Sequence, residues 1–556
     1  MRRVHPEFPK KLRTLLCFSL LFSLAHVSLD SQMAALSPVE LASKLVGEKY
    51  VRHQEPEYLS FEELKKLYLN PKPEGEIKKK LETFWGTPII SNEAFFLGAK
   101  PKHPKNPSLG EFLRIASWNI EKSFHVNETI QLLTSKEAFQ QMIDSSKAAP
   151  GSELEEQMHK QREHLLEADV LIFQEMEIGL KRSGYKNAAA ELARALDMNY
   201  AYAAQYLEID PVTLGLEELI FEEEDKAVEN DARDFFSVDP NLYKGVFGSA
   251  VLSKYPIKYV EVRPLRTQPY DWYTGELQKT GATEKARRAG AKSLFKNVIQ
   301  RELKVGGRHY FRVDLEVPGL AEKTLTLINI HLEIKCEPEG RERQMREILS
   351  YVRDIKNPVV LMGDFNMAPT DISSTTAGRI LKRSAKNPTT WFSLAVNVLS
   401  PHALVINTSR MLSNFTKNLN DPTARHIPVV APNPIKPFFE MMENFRFLDG
   451  KTFDLRGNPS RSVGNKDKTL SNSNQRGKKG FVTTFRVLRP IGIVGKFRLD
   501  WVFVKSYSRS PNNESESYRF APHFGETLED MNYNLTLPVS DHAPNVVDLP
   551  FKEPNL

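Results

Sequence analysis

Short apolar runs with strand-like alternation recur along the chain, and seven of them finish on, or run into, an acid, an amide or a histidine. They occupy residues 113–121, 170–175, 248–254, 325–331, 359–366, 498–504 and 540–542. Between them lie stretches of helical period. Residues 186–198 and 341–354 place apolar positions three and four apart, and 127–168 is polar but helix-compatible. Ser37 and Ser60 each head a short run with acids in its first turn, the pattern of a capped helix. Strand, helix, strand order predicts an α/β fold, with the late strands close enough to pair antiparallel. Residues 100–109, rich in Pro and Lys, read as a linker between an N-terminal extension (30–110) and a main domain spanning 111–551.

The ends of α/β strands are where such a scaffold presents chemistry. Glu175 closes a run of four apolar residues and Gln174, and a carboxylate stranded there is costly unless it is paired or bound to a cation. It is the expected main metal ligand. Asn119 and Glu121, two apart, should share one strand face, an amide and an acid suited to a hydrated Mg²⁺. In Gly363-Asp364-Phe365-Asn366, glycine lets the backbone approach a ligand. Asp364 could then orient or deprotonate a water, and Asn366 could donate to a pentacovalent transition state. His331 and His542 are the candidate phosphate partners. Asp541 precedes His542 and Asp500 opens another buried run, so a carboxylate can fix the imidazole tautomer and raise its pKa. No serine or cysteine has a convincing base partner, which favours direct attack by water over a covalent intermediate.

Bulk properties narrow the picture. With 556 residues, 40% apolar and 26% charged, the chain is neither wholesale disordered nor a multispanning membrane protein. The net charge is +6, of which Arg2, Arg3, Lys10, Lys11 and Arg13 against Glu7 supply +4 within the first 29 residues, leaving +2 for the rest. A basic start followed by a short apolar stretch to about Ala25 reads as a signal peptide or N-terminal anchor, so the protein is expected to be exported, periplasmic or secreted. Cys17 would leave with a cleaved signal, and Cys336 alone cannot form an intramolecular disulfide. Insertions are expected near 207–237 (acidic, with Glu222 to Asp225), 267–309 (basic), 370–445 and 456–480 (basic, Gly/Ser/Asn-rich).

Taken together, the pieces Ser117-Trp-Asn-Ile, Phe173-Gln-Glu, Gly248-Ser-Ala-Val-Leu-Ser-Lys-Tyr-Pro, Asn329-Ile-His-Leu, Arg343-Gln344, Gly363-Asp-Phe-Asn, Arg498-Leu-Asp-Trp and Ser540-Asp-His resemble the endonuclease/exonuclease/phosphatase superfamily, the deoxyribonuclease I-like fold. The resemblance implies a four-layer α-β-β-α sandwich with two packed mixed β-sheets. It places Glu175, Asn119, Glu121 and Asp541 at a metal ion, Mg²⁺ or Mn²⁺ with Ca²⁺ in support. Asp364 and Asn366 act on the water and the transition state, His331, His542 and Asn366 contact the phosphate, and Asp500 orients His542. Gly248-Ser249-Ala250 departs from the family's usual Gly-Asn-Ala. The expected activity is phosphoester hydrolysis by a monomer, with no protein partner inferred. A nuclease or other phosphodiesterase comes first. Phospholipid or sphingomyelin cleavage, or dephosphorylation of a small metabolite, is the alternative; a non-catalytic binding module is the third. Tyr270-Asp-Trp-Tyr273 is the nearest candidate for a membrane-docking hairpin.

Overall fold

Side chains alternate faces along a strand, and that alternation sorts the described residues into two main sheets and three large apolar cores. The structure is a computed structural model that describes residues 49–107, 109–218, 236–277, 302–320, 322–367, 433–453, 482–491, 494–505, 507–508, 518–519 and 524–552. The signal-like start with Cys17, the run headed by Ser37, the acidic cluster at 222–225, most of the insertions at 267–309 and 370–445, and all of 456–480 lie outside the described residues.

Eleven strands carry the architecture: β1 Gly110–Asn119, β2 Val170–Ile178, β3 Asn199–Glu208, β4 Val246–Ser253, β5 Ile257–Pro264, β6 His309–Glu316, β7 Thr324–His331, β8 Val359–Asp364, β9 Asp500–Lys505, β10 Phe524–Thr527 and β11 Asn545–Pro550. The larger sheet has the order β3-β4-β2-β1-β11-β10, with β1 and β2 parallel and these other neighbours antiparallel. The N-terminal extension adds to it: Ile89–Ser91 pairs with β3, and His53–Gln54 pairs with Ile89–Ser91 in turn. Lys304–Gly306, from the basic insertion, pairs with the end of β3. The smaller sheet runs β9-β8-β7-β6-β5, parallel only between β7 and β8. Where a linker was expected, the chain is fastened. Lys105–Asn106 pairs with β1, and His103 sits between Glu111 and the Tyr255 hydroxyl.

One core lies between the sheets, where Leu113, Ile115, Val170 and Ile172 meet Leu325, Leu327, Val360, Met362, Val502 and Val504. A second covers the outer face of the larger sheet, packing Trp118, Leu171 and Phe173 with Met158 and Leu165 of helix Glu153–Leu166 and Leu192 of helix Ala188–Ala195. The third covers the outer face of the smaller sheet, where Ile330, Leu361 and Trp501 meet Ile348 and Val352 of helix Pro338–Val352 and Phe439 of helix Lys436–Asn444. Helix, sheet, sheet, helix is therefore the layering. Each fully buried aliphatic or aromatic side chain contributes roughly 1.5–3 kcal/mol.

The inward-facing rows between the sheets change character along their length. They read Leu113-Ile115-Ser117-Asn119 on β1, Val170-Ile172-Gln174 on β2, Leu325-Leu327-Asn329-His331 on β7 and Val360-Met362-Asp364 on β8. The antiparallel β9 reads Val504-Val502-Asp500 in the same direction. Registers align the polar ends: His331 pairs with Asp364, Asp364 with Asp500, and Asn119 with Gln174. One end of the sandwich is thus apolar and the other carries the chemistry.

Three expectations change. β1 ends at Asn119, so Glu121 does not continue its face. β2 runs on past Glu175 to Ile178. Residues 540–542 are not a strand; they are held by their neighbours, with Arg486 N donating to Asp541 O (2.8 Å) and Ala543 N to Thr484 O (2.7 Å). No helix among the described residues is long and apolar enough to cross a membrane.

Candidate active site

Two departures from regular strand geometry build the site. Beyond Asn119 the chain enters a left-handed turn in which Glu121, Lys122 and Ser123 have φ of 43°, 54° and 53°. Opposite it, β2 carries a bulge between Phe173 and Met176, with Glu175 at φ 60°. A bulge adds a residue to one strand and re-aims a side chain. The two irregularities interlock. Lys122 N donates to Glu175 Oε2 (3.1 Å), Ser123 Oγ donates to Glu175 O (3.2 Å), and Glu177 N donates to Ser123 Oγ (3.2 Å). With Asn366 at φ 49°, the site holds five of the nine described non-glycine residues of positive φ. Each costs about 1–3 kcal/mol, and such strain persists where the surroundings over-determine it.

Asp364 is the centre. Its Oδ2 accepts from Asn119 Nδ2 (3.2 Å) and lies 3.8 Å from His331 Nε2 and 3.9 Å from His542 Nε2. Its Oδ1 accepts from the backbone N–H of Asn366 (2.8 Å). His331 Nε2 is also 3.8 Å from Glu175 Oε1. Separations near 3.8 Å are not hydrogen bonds, so these groups face one another without being tied together. His542 is fixed from both sides: its Nδ1 is 2.9 Å from Asp500 Oδ2, and its backbone N–H donates to Ser540 Oγ (3.0 Å), which in turn donates to Asn119 O (2.6 Å). Asp541 N donates to Glu121 Oε2 (3.0 Å), so Glu121 is brought in by the turn. All nine expected side chains therefore converge on one end of the sandwich. Asn119 holds the turn as well as Asp364, since its Oδ1 accepts from Glu121 N (3.1 Å). Asn366 spends one amide hydrogen on Leu332 O (3.0 Å) and keeps the other.

The charges are unbalanced. Burial, then the nearby Glu175 carboxylate, pushes Glu121 above the usual carboxylate range. Burial and Glu121 push Asp541 well above it. Burial, with Asp500 and Glu175, raises Asp364 to about 7 despite the opposing pull of His542. Burial, then Arg308 and His542, holds His331 well below the ordinary imidazole range, so it is neutral. Burial also works against a charged His542, but Asp500, Asp541 and Asp364 overcome it and hold it well above that range. Acids that raise one another in this way are the residues that could hold a hard cation. Among the described residues no three His, Cys, Asp or Glu side chains are spaced as a ready-made cage.

The sequence reading left out Ser123, Gln174, Asn329 and Thr484. Gln174 and Asn329 stand on the inward rows of β2 and β7, so the period of two marks them. Thr484, whose Oγ1 accepts from Asp500 N (3.2 Å), lies in a stretch with no local sign of its role. Cys336 and the Tyr270–Tyr273 segment both turn inward. Cys336 is buried, and burial pushes its thiol up to about 11, against a reactive role. Trp272 is also buried, with Nε1 donating to Glu333 Oε2 (3.0 Å), and Tyr270 donates to Glu276 (2.7 Å), so residues 270–273 form no exposed aromatic hairpin.

A sequence search of the curated proteins returns no match. Solved structures similar to this chain include an endonuclease/exonuclease/phosphatase from Beutenbergia cavernae (14% identity, 79% of this chain and 71% of that one, TM-score 0.34). The 3'-5' exonuclease NExo of Neisseria meningitidis is similar at 13% identity, covering 78% and 98% with a TM-score of 0.34. An AP endonuclease from Archaeoglobus fulgidus matches at 11%, covering 78% and 98% with a TM-score of 0.31. The sequence profile of the Endonuclease/Exonuclease/phosphatase family matches residues 116–542, which take in every site side chain described above. The chain belongs to that family and is a phosphoester hydrolase.

Proposed function

We propose that this hydrolase is a divalent-metal-dependent phosphodiesterase in which water attacks phosphorus directly, with nucleic acid as its first substrate class. The observation that carries the reading is the meeting of Asn119, His331 and His542 at Asp364 Oδ2, beside Glu175. Glu175, with Glu121, Asp541 and Asn119, would hold Mg²⁺ or Mn²⁺. Such an ion, when bound, neutralises charge on a phosphoryl oxygen and makes water a better nucleophile. Asp364 orients the attacking water and takes its proton as the new P–O bond forms and the ester P–O bond opposite it breaks, the alkoxide leaving as the alcohol after taking a proton from solvent; the task suits a carboxyl raised to about 7. His542, kept protonated by Asp500, donates from Nε2 to a phosphoryl oxygen. Neutral His331 and the remaining amide hydrogen of Asn366 donate to the same phosphoryl group, so negative charge developing there meets fixed donors.

The basic stretches at 267–309 and 456–480 support a polyanionic substrate, while the inward-turned 270–273 segment removes the support for a membrane-docking hairpin there. The basic and then apolar N-terminus adds the proposal that the enzyme is exported or anchored at its N-terminus. A substrate panel in Mg²⁺, Mn²⁺ and Ca²⁺ tests the reading: plasmid DNA, RNA, sphingomyelin, phosphatidylinositol phosphates and p-nitrophenyl esters. Cleavage of DNA or RNA that stops in EDTA and weakens steeply with salt is the expected result. Salt-insensitive cleavage of only a small ester would replace the nucleic-acid assignment. Activity that survives both EDTA and Glu175→Gln would overturn the metal site.

A further inference from the structure

Beneath the acids and imidazoles lies a second polar level, made of Ser117, Gln174 and Asn329, all buried. Asn329 belongs to β7 in the smaller sheet, yet its side chain bonds across to the larger one. Its Nδ2 donates to Phe173 O and to Ala250 O, both at 3.0 Å, and its Oδ1 accepts from Gln174 Nε2 at 2.8 Å. Phe173 and Ala250 are partners in the β2–β4 ladder, the last pair before the bulge that carries Glu175. Two residues beyond Asn329, on the same strand face, stands His331. One amide thus ties the strand that presents His331 to the two strands that set the position of Glu175. Gly363 leaves the room this needs, since a Cβ there would come within 2.9 Å of Gln174 Nε2.

The site draws Glu175, Asn119 and Glu121 from the larger sheet's side and His331, Asp364 and Asp500 from the smaller sheet. Apolar packing between the sheets is non-directional and does not by itself set their register to a fraction of an ångström. A buried amide with satisfied, directional bonds does. We propose that Asn329 is a positioning residue that sets the separation between Glu175 and the His331–Asp364 pair, and through it the affinity for the divalent cation and the rate of the chemical step. This rests on the phosphoesterase reading of the metal site.

The test uses the full chain with Asn329→Leu and Asn329→Ser, beside Val352→Ala, a core truncation near the opposite end of β8 from Asp364. Mn²⁺ binding is followed by electron paramagnetic resonance, kcat and KM on a generic phosphodiester, and Tm by calorimetry. Both Asn329 variants should weaken Mn²⁺ binding and lower kcat about tenfold or more, with KM for the ester little changed. Val352→Ala should lower Tm while keeping both. If Asn329→Leu does not fold, Asn329→Ser, which keeps one donor, carries the test. Wild-type Mn²⁺ affinity and kcat in a folded Asn329 variant would overturn the proposal, as would equal losses in Val352→Ala. A wild type that cleaves no ester would sink the functional reading alone, and the Mn²⁺ titrations would still decide the role of Asn329.

Discussion

His542 Nδ1 lies 2.9 Å from Asp500 Oδ2, while the same ring's Nε2 faces Asp364 Oδ2 at 3.9 Å. One carboxylate therefore fixes the ring and the other shares its working edge. Burial favours a neutral ring, but Asp500 outweighs it, and the imidazole stays charged well above its ordinary range. A group raised in this way gives up its proton, and the stability that goes with it, only as pH climbs through the folded value. Catalysis that needs the imidazolium should fall along the same limb. Asp500→Asn removes the main support of the charge. The expected outcome is a high-pH limb of the kcat profile displaced toward acid, with kcat down about 10²-fold or more. A limb that stays in place would separate Asp500 from the titration of His542.

Glu175 should have opposite effects on activity and on metal-free stability. Its carboxylate is the leading repulsive charge on Glu121 and also raises Asp541. Glu175→Gln removes that repulsion and still offers an oxygen to Lys122 N, which now bonds Oε2 at 3.1 Å. In EDTA the variant should melt at or above the wild-type Tm. In saturating Mg²⁺ the wild type should gain stability through ligand binding and the variant should gain little, with kcat lower by on the order of 10³-fold. Thermal scans in both conditions check this. A variant less stable than wild type in EDTA would show that Glu175 is held by structural partners.

Much of this site was legible because the period of two in a strand is strict. Leu325, Leu327, Asn329 and His331 share a face by parity alone, as do Val360, Met362 and Asp364, so polar strand ends could be read without coordinates. What escaped was irregular or distant. The Glu121–Ser123 turn and the Glu175 bulge are left-handed at non-glycine residues, a choice made by the interlocking Lys122 and Ser123 hydrogen bonds and by no local signal. β3 (Asn-Tyr-Ala-Tyr-Ala-Ala-Gln-Tyr-Leu-Glu) mixes three tyrosines with three alanines and lacks valine and isoleucine, so a search for aliphatic runs passes over it although its tyrosines suit a strand paired with β4. β5 and β6 carry Lys258, Glu261, Arg263 and Arg312 within their runs, which hid them from an apolar criterion.

Asp364 gives the metal-free protein a pH signature. Its carboxyl is raised from 3.8 to about 7 by burial, with Asp500 and Glu175 adding to the effect. The folded state then binds this proton more tightly than the unfolded chain. The stabilisation is complete below the unfolded value and is lost as pH rises toward about 7. In EDTA, wild-type Tm should therefore fall relative to Asp364→Asn between about pH 4 and 7, since the amide has no proton to lose. Divalent metal should restore more of the wild-type stability at pH 8 than at pH 5. Parallel Tm curves for the two proteins across that window would remove Asp364 from the linkage.

Gly363 sits where two elements of the site nearly touch, and its substitution tests how tightly the strands must approach. A Cβ at Gly363 would stand 2.1 Å from Ile330 O and 2.9 Å from Gln174 Nε2, and the residue's φ of +144° is one that L side chains rarely adopt. The carbonyl belongs to β7, the parallel neighbour of β8, and it cannot retreat without breaking the pairing that aligns His331 with Asp364. Backbone strain and the clash act together, so Gly363→Ala should cost about 2–4 kcal/mol in urea unfolding. Folded protein should also lose kcat disproportionately, because Asp364 follows directly in sequence. Alanine tolerated within about 0.5 kcal/mol, the range of an ordinary surface change, would mean that β7 and β8 have slack at this end. The strict alignment of His331 with Asp364 would then have to come from elsewhere.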